Sequence, residues 1–153
     1  MVADKYKDFL LGPAKTATVG HSSRNLYLHL CGTHDLLESW GNPEPVCLAG
    51  LFHSIYGTKS FRHKSWPLDD RKTIRELIGE EAERLAYVFC TADRGLFYSA
   101  ADGFLTRDLR EIEAANLIEQ GSKSGRLKKL YDSNISVPAK RDLKRYLEIS
   151  NEA

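Results

Sequence analysis

The chain has 153 residues, 42% of them hydrophobic and 28% charged, with a net charge of +1 and a pI near 7.7. That length accommodates about one domain with a real core, the composition excludes a disordered chain, and the near-neutral charge excludes a global field that recruits duplex nucleic acid or anionic membrane. No apolar run approaches the ~20 residues of a bilayer span. MVADKYKDFLLG carries charges where a signal peptide is apolar, so a cytoplasmic location is expected.

The periodicity predicts a chain that is nearly all helix. A short helix over about Ala3 to Leu11 stops at Gly12-Pro13. Ser22 or Ser23 can cap a long helix to Trp40, in which Leu26, His29, Leu30, Thr33, Leu36, Leu37 and Trp40 recur at three and four, so that His29 faces inward. Gly41-Asn42-Pro43 turns the chain into a second helix, about Glu44 to Ile55, which is apolar almost all round and therefore central. KSFRHKSWP has no clean period and reads as a loop or broken helix that carries Arg62, His63, Lys64 and Trp66. Asp69 or Asp70 begins a helix to Ile78. Glu80 to Thr91 forms the next, with Ala82, Leu85, Ala86, Val88 and Phe89 inward.

The segment from Asp93 to Gly103 is ambiguous. Beyond it, a helix through Gln120 buries Leu109, Ile112, Ala115, Asn116 and Ile118, and helices over Arg126 to Asp132 and Pro138 to Leu147 follow. The chain has no repeat, low-complexity tract or linker, and one all-α domain is the economical reading.

The side chains with chemistry are few. Cys31, Cys47 and Cys90 are odd in number, have no CxxC spacing, and read as buried reduced thiols. His34 beside Asp35 reads as a solvated pair on a helix face, and Trp66 as a packing residue or a roof over a pocket. Within LAGLFHSIYGT, His53 ends a small-residue apolar run 24 residues after His29, so two imidazoles on neighbouring helices are placed to meet. Asn116 on an inward stripe needs a definite partner, because a buried amide left unpaired costs about 1–3 kcal/mol.

In this order the segments resemble the His-Asp (HD) metal-dependent phosphohydrolase superfamily, and most nearly the hydrolase domain of the (p)ppGpp synthetase/hydrolase proteins. AGLFHS is similar to that family's AALLHD-like motif, and Arg24 and Tyr27 precede His29 as an Arg and a Tyr precede its first histidine. IGEEAERLAYVF resembles its FGEEVARLVDGV-like helix, and EAANLIEQ stands where it carries an ADRLHN-like string. The likeness covers about residues 20–120. Three acidic functions are absent: Ser54 replaces the aspartate of the doublet, Asn116 replaces the last metal aspartate, and Tyr56-Gly57-Thr58 lies where an acidic pair would be.

What the resemblance implies is an HD-domain-like single-domain bundle over 1–153, with its core at about 20–120 and C-terminal helices over 123–150. It further implies metal ligands at His29, His53 and Asn116, candidate catalytic residues at Ser54 and Tyr56, and substrate contacts from His21, Arg24 and Arg62. The metal would be a divalent transition ion (Fe, Zn, Mn or Ni), since imidazole suits these better than magnesium. The partner would be a small anionic molecule, phosphorylated or nucleotide-like. His21 or His63 is a further candidate nitrogen, and Asp93 in CTADRG an alternative acid. Ser54 is either a nucleophile or an inert hydroxyl bonded to the carbonyl a turn earlier. Two other activities fit the same residues: an iron-dependent oxygenase or lyase, and an inactive descendant that binds a ligand or a protein.

Overall fold

A computed structural model describes residues 1–21 and 24–152, with side chains described for 1–21 and 25–148. The expected all-α, single-domain bundle is observed. α1 (Asp4–Leu11) leads through a 3-10 turn (Thr16–Thr18) into a minimal antiparallel hairpin of β1 (Gly20–His21) and β2 (Arg24–Asn25), in register Gly20↔Asn25 and His21↔Arg24. α2 (Leu26–Ser39) follows directly. Its cap is Asn25, whose Oδ1 accepts the Leu28 N–H at 2.9 Å; the expected caps Ser22 and Ser23 lie outside the described residues.

α3 (Glu44–Leu51) is shorter than the apolar run suggests. The Gly50 carbonyl accepts both the backbone N–H of His53 at 3.4 Å and its ring Nδ1 at 2.7 Å. It is thereby withdrawn from the helical ladder, and the chain continues as i→i+3 turns through Ile55 and Gly57. Gly57 sits at φ +80°, a conformation that suits glycine, and closes the segment.

α4 (Arg71–Ile78), capped by Asp70, leads into α5 (Glu80–Thr91) and the short α6 (Gly95–Ser99), which resolves the ambiguous stretch. α7 (Phe104–Glu119), α8 (Arg126–Tyr131) and α9 (Val137–Glu152) complete the chain. Two apolar clusters form the core. One gathers α1 with the first half of α2 and parts of α3, α4 and α5; the other gathers the second half of α2 with α7, α8 and α9.

α2 and α3 pack closely because residue 50 is glycine: a Cβ there would lie 2.3 Å from Leu37 Cδ1, and Leu37 is fully buried. This approach brings His29 and His53 within reach of each other. α7 contradicts the one-sided stripe read from its sequence, since every residue from Leu109 to Leu117 is buried. The helix is enclosed, and its charged residues are met by partners. Arg110 donates to the Phe97 and Ala100 carbonyls and pairs with Asp102, while Glu111 accepts from Asn42 and Ser136.

Candidate functional site

The site lies where α2, the end of α3 and α7 meet. His29 Nε2 is 3.3 Å from His53 Nε2 and 2.9 Å from Asn116 Oδ1, and all three side chains are buried. Their protonation follows from the partners. A carbonyl can only accept, so His53 Nδ1 carries the proton donated to Gly50 and its Nε2 is a lone pair. Burial lowers the His53 pKa to about 4 against the Gly50 hydrogen bond, and the Arg94 charge adds to the shift. Asn116 Nδ2 donates to Glu113 Oε1 at 2.9 Å, which turns Oδ1 toward His29. His29 Nε2–H is therefore the donor to Asn116.

Above this cluster is a cavity of about 440 Å³, to which His53, Ser54 and Asn116 contribute the floor. His21 stacks on His29 with ring centroids 4.2 Å apart and meets the edge of Phe61 at 4.7 Å, so β1 and the loop after Gly57 form one wall. Burial lowers the His21 pKa, opposed by its contact with Gln120 at 3.4 Å. Arg94 and Arg126 also line the cavity. Both grip Glu113, which is fully buried: Arg94 Nη1 reaches each carboxylate oxygen at 2.9 Å, and Arg126 Nη1 reaches Oε2 at 3.3 Å. Arg94 also lies over the Phe89 ring at 4.0 Å, which fixes its plane. The Ser54 hydroxyl is buried at the cavity and has no hydrogen-bond partner among the described residues. That removes the expected bond to the carbonyl a turn earlier.

Of the residues singled out in the sequence, the structure brings His21, His29, His53, Ser54 and Asn116 together. Tyr56 is a correction, because its hydroxyl donates to Glu83 Oε2 at 2.8 Å on the far side of the segment, within the other half of the core. Arg62 is another: it is exposed and lines a separate groove with Lys59 and Lys64. The Arg24 side chain lies outside the described residues. His63 is exposed and supplies no nitrogen to the cluster. Asp93 accepts the Gly95 N–H at 2.8 Å in the turn that leads into α6 and pairs with Lys59, while its neighbour Arg94 turns inward.

Trp66 packs on Phe9 and donates to Asp70, so it is a packing residue. His34 pairs with Asp35 at 3.0 Å as expected, but is buried. All three cysteines are free thiols, with Cys47 and Cys90 buried and Cys31 half-buried. Sequence reasoning missed Arg94, Glu113 and Arg126. CTADRG drew notice to the right turn, but Arg126 follows a plain Ser/Gly turn and carried no signal.

The donor set accommodates a transition ion in one respect. Two nitrogens each ~2.0–2.1 Å from a tetrahedral ion stand about 3.3–3.4 Å apart, which is the spacing of His29 and His53. A ligating imidazole usually donates its other N–H to a carbonyl or carboxylate, as His53 does to Gly50. Among the described residues, no group of three or more His, Cys, Asp or Glu side chains could hold a metal. The third donor would be an amide oxygen.

Residues 10–94 match the family described as Domain of unknown function (DUF6817), and the chain belongs to that family. The matched span carries His21, His29, His53, Ser54 and Arg94, and ends before α7 supplies Asn116 and Glu113. No curated protein and no solved structure matches the chain.

Proposed function

We propose that this protein is a metal-dependent hydrolase of a small phosphorylated molecule, acting in the cavity above His29, His53 and Asn116. The observation that carries the reading is the convergence of two imidazole nitrogens and one carboxamide oxygen beneath a wall with excess positive charge. The resemblance to HD phosphohydrolases assigns ligand roles to the same three residues and supports it. When bound, a divalent transition ion supplies Lewis acidity and a nucleophile from water at neutral pH.

The chain's own residues do the rest. His53 offers its lone pair and stays neutral down to about pH 4, because burial disfavours the imidazolium. His29 must move its proton from Nε2 to Nδ1 to act as a ligand, so binding releases Asn116 Oδ1 from its hydrogen bond. His21 and Phe61 limit entry of bulk water, and Arg94 and Arg126 attract the anion.

The test is metal analysis of untagged protein after loading with zinc or manganese and desalting. Retention of about one ion per chain, lost in His53→Ala, together with hydrolysis of phosphate esters, is expected; failure of the wild-type protein to retain an ion overturns the reading. A second reading, a binding protein that holds the same anion without metal, is favoured by the His29–Asn116 hydrogen bond, in which the amide oxygen satisfies the imidazole N–H from within the chain. It requires ester binding with no turnover under any metal.

A further inference from the structure

Glu113 touches both halves of the site. Its Oε1 accepts from Asn116 in the imidazole–amide cluster, and its two oxygens accept from Arg94 and Arg126 on the cavity wall. Two guanidinium charges against one carboxylate leave the wall with a formal excess of one positive charge. Each arginine uses only Nη1 on Glu113, so the other N–H groups of Arg94 are uncommitted among the described residues. Ser54 lines the same cavity, is 2% exposed as a residue, and has a buried hydroxyl unpartnered among the described residues. A buried donor without an acceptor carries a desolvation cost that a ligand oxygen would remove.

We infer that Arg94, Arg126 and Ser54 form the seat of the ligand's phosphoryl group, and that Glu113 is its resident counter-ion, holding the two guanidinium groups in place and competing with the ligand for them. A tetrahedral oxyanion suits this set better than a carboxylate. It presents oxygens in three directions, toward two arginines and a hydroxyl, and it carries more charge than the wall's excess of one. Glu113 is a positioning residue: it keeps the guanidinium groups aligned in the absence of ligand, and its charge limits how tightly a phosphoryl group binds. This deepens the proposed function by locating one end of the substrate, but the site needs neither metal nor turnover.

The experiment is titration of metal-free protein with inorganic phosphate, followed by calorimetry and thermal shift, with sulfate and acetate as parallel arms. Saturable phosphate binding is expected, with sulfate similar and acetate at least tenfold weaker. R126Q should weaken phosphate about tenfold. Its side chain is one-third exposed and leaves the Arg94–Glu113 pair in place, so the fold is expected to hold. R94Q should weaken it further. E113Q should tighten it about tenfold by removing the competing charge.

Phosphate binding unchanged in both arginine variants overturns the inference, as does acetate binding as tightly as phosphate. Looser binding in a folded E113Q overturns the counter-ion role. Loss of metal retention with intact phosphate binding breaks the hydrolase reading alone; metal retention without phosphate binding breaks this inference alone.

Discussion

Two buried carboxylates, Glu83 on α5 and Glu113 on α7, are built alike and serve different ends. Each is fully buried, near two arginines, and bonded to one neutral donor: Arg71, Arg75 and Tyr56 for Glu83; Arg94, Arg126 and Asn116 for Glu113. Arg71 meets Glu83 as a fork, with Nε and Nη2 each on one oxygen at 2.8 and 2.7 Å, and its guanidinium stacks on Tyr87 at 3.7 Å. Burial opposes ionisation of Glu83, but the Arg71 and Tyr56 hydrogen bonds outweigh it and hold the carboxyl below its ordinary value. The Glu113 cluster instead engages single nitrogens and presents its arginines to a cavity. A buried ion pair that spends its donors internally fastens helices together. One that keeps donors in reserve beside a cavity can bind.

The comparison is broken most directly by removing Glu83. Glu83→Ala strands Arg71 beside a buried tyrosine, and breaking a buried pair on one side costs about 3–5 kcal/mol. Chemical denaturation should show that loss, while phosphate binding per folded molecule stays unchanged. A parallel fall in phosphate affinity would mean that the clusters are one site.

Acid probes the other cluster by nearly as much. His53 has a folded pKa of about 4 against an ordinary 6.5, so the unfolded chain binds the proton more readily between those values. Stability present above pH 6.5 is lost as pH falls toward 4, by about 3 kcal/mol in total from this residue. In metal-free protein, His53→Asn should show a shallower fall across that window, because its amide can still donate to Gly50. Identical slopes would place the titration elsewhere.

The fold was more legible in the sequence than the site. The helices near Asp4, Glu44, Arg71 and Glu80 could be read because each has an apolar period and a punctuating Gly, Pro or Asp. His29, His53 and Asn116 were legible because inward periodic positions converge when helices pack. Glu113 was not, because periodicity assumes one buried face and α7 has none left exposed between Leu109 and Leu117; Arg94 was not, because it stands in the turn before α6, outside any helical period. Tyr56 misled through its nearness to His53 in the chain. Once α3 unwinds after Leu51, the segment turns and sends Tyr56 to Glu83.

Tyr56→Phe sharpens that correction. It removes one buried hydrogen bond to a charged acceptor, so a stability loss of about 1.5–3 kcal/mol is expected in denaturation. Ester hydrolysis and phosphate affinity should match wild type. Lost turnover in a folded variant would return Tyr56 to the chemistry.

The smallest expected effect on stability belongs to Ser54, and for that reason it discriminates best. A buried hydroxyl that already contributes to folding loses about 1 kcal/mol on truncation to alanine. Ser54 Oγ makes no hydrogen bond among the described residues, so Ser54→Ala removes an unpaired polar group and should leave stability within about 0.5 kcal/mol of wild type or raise it. Phosphate affinity should fall several-fold in the same protein, because the hydroxyl's partner is the ligand. Ser54→Asp acts in the opposite sense on the two ligands. A carboxylate beside His53 adds a negative donor that tightens metal retention, and it repels the phosphoryl group that Arg94 and Arg126 attract. Metal and phosphate measured side by side on that variant separate the two roles proposed for the floor, and unchanged affinity for both would show that Ser54 faces neither.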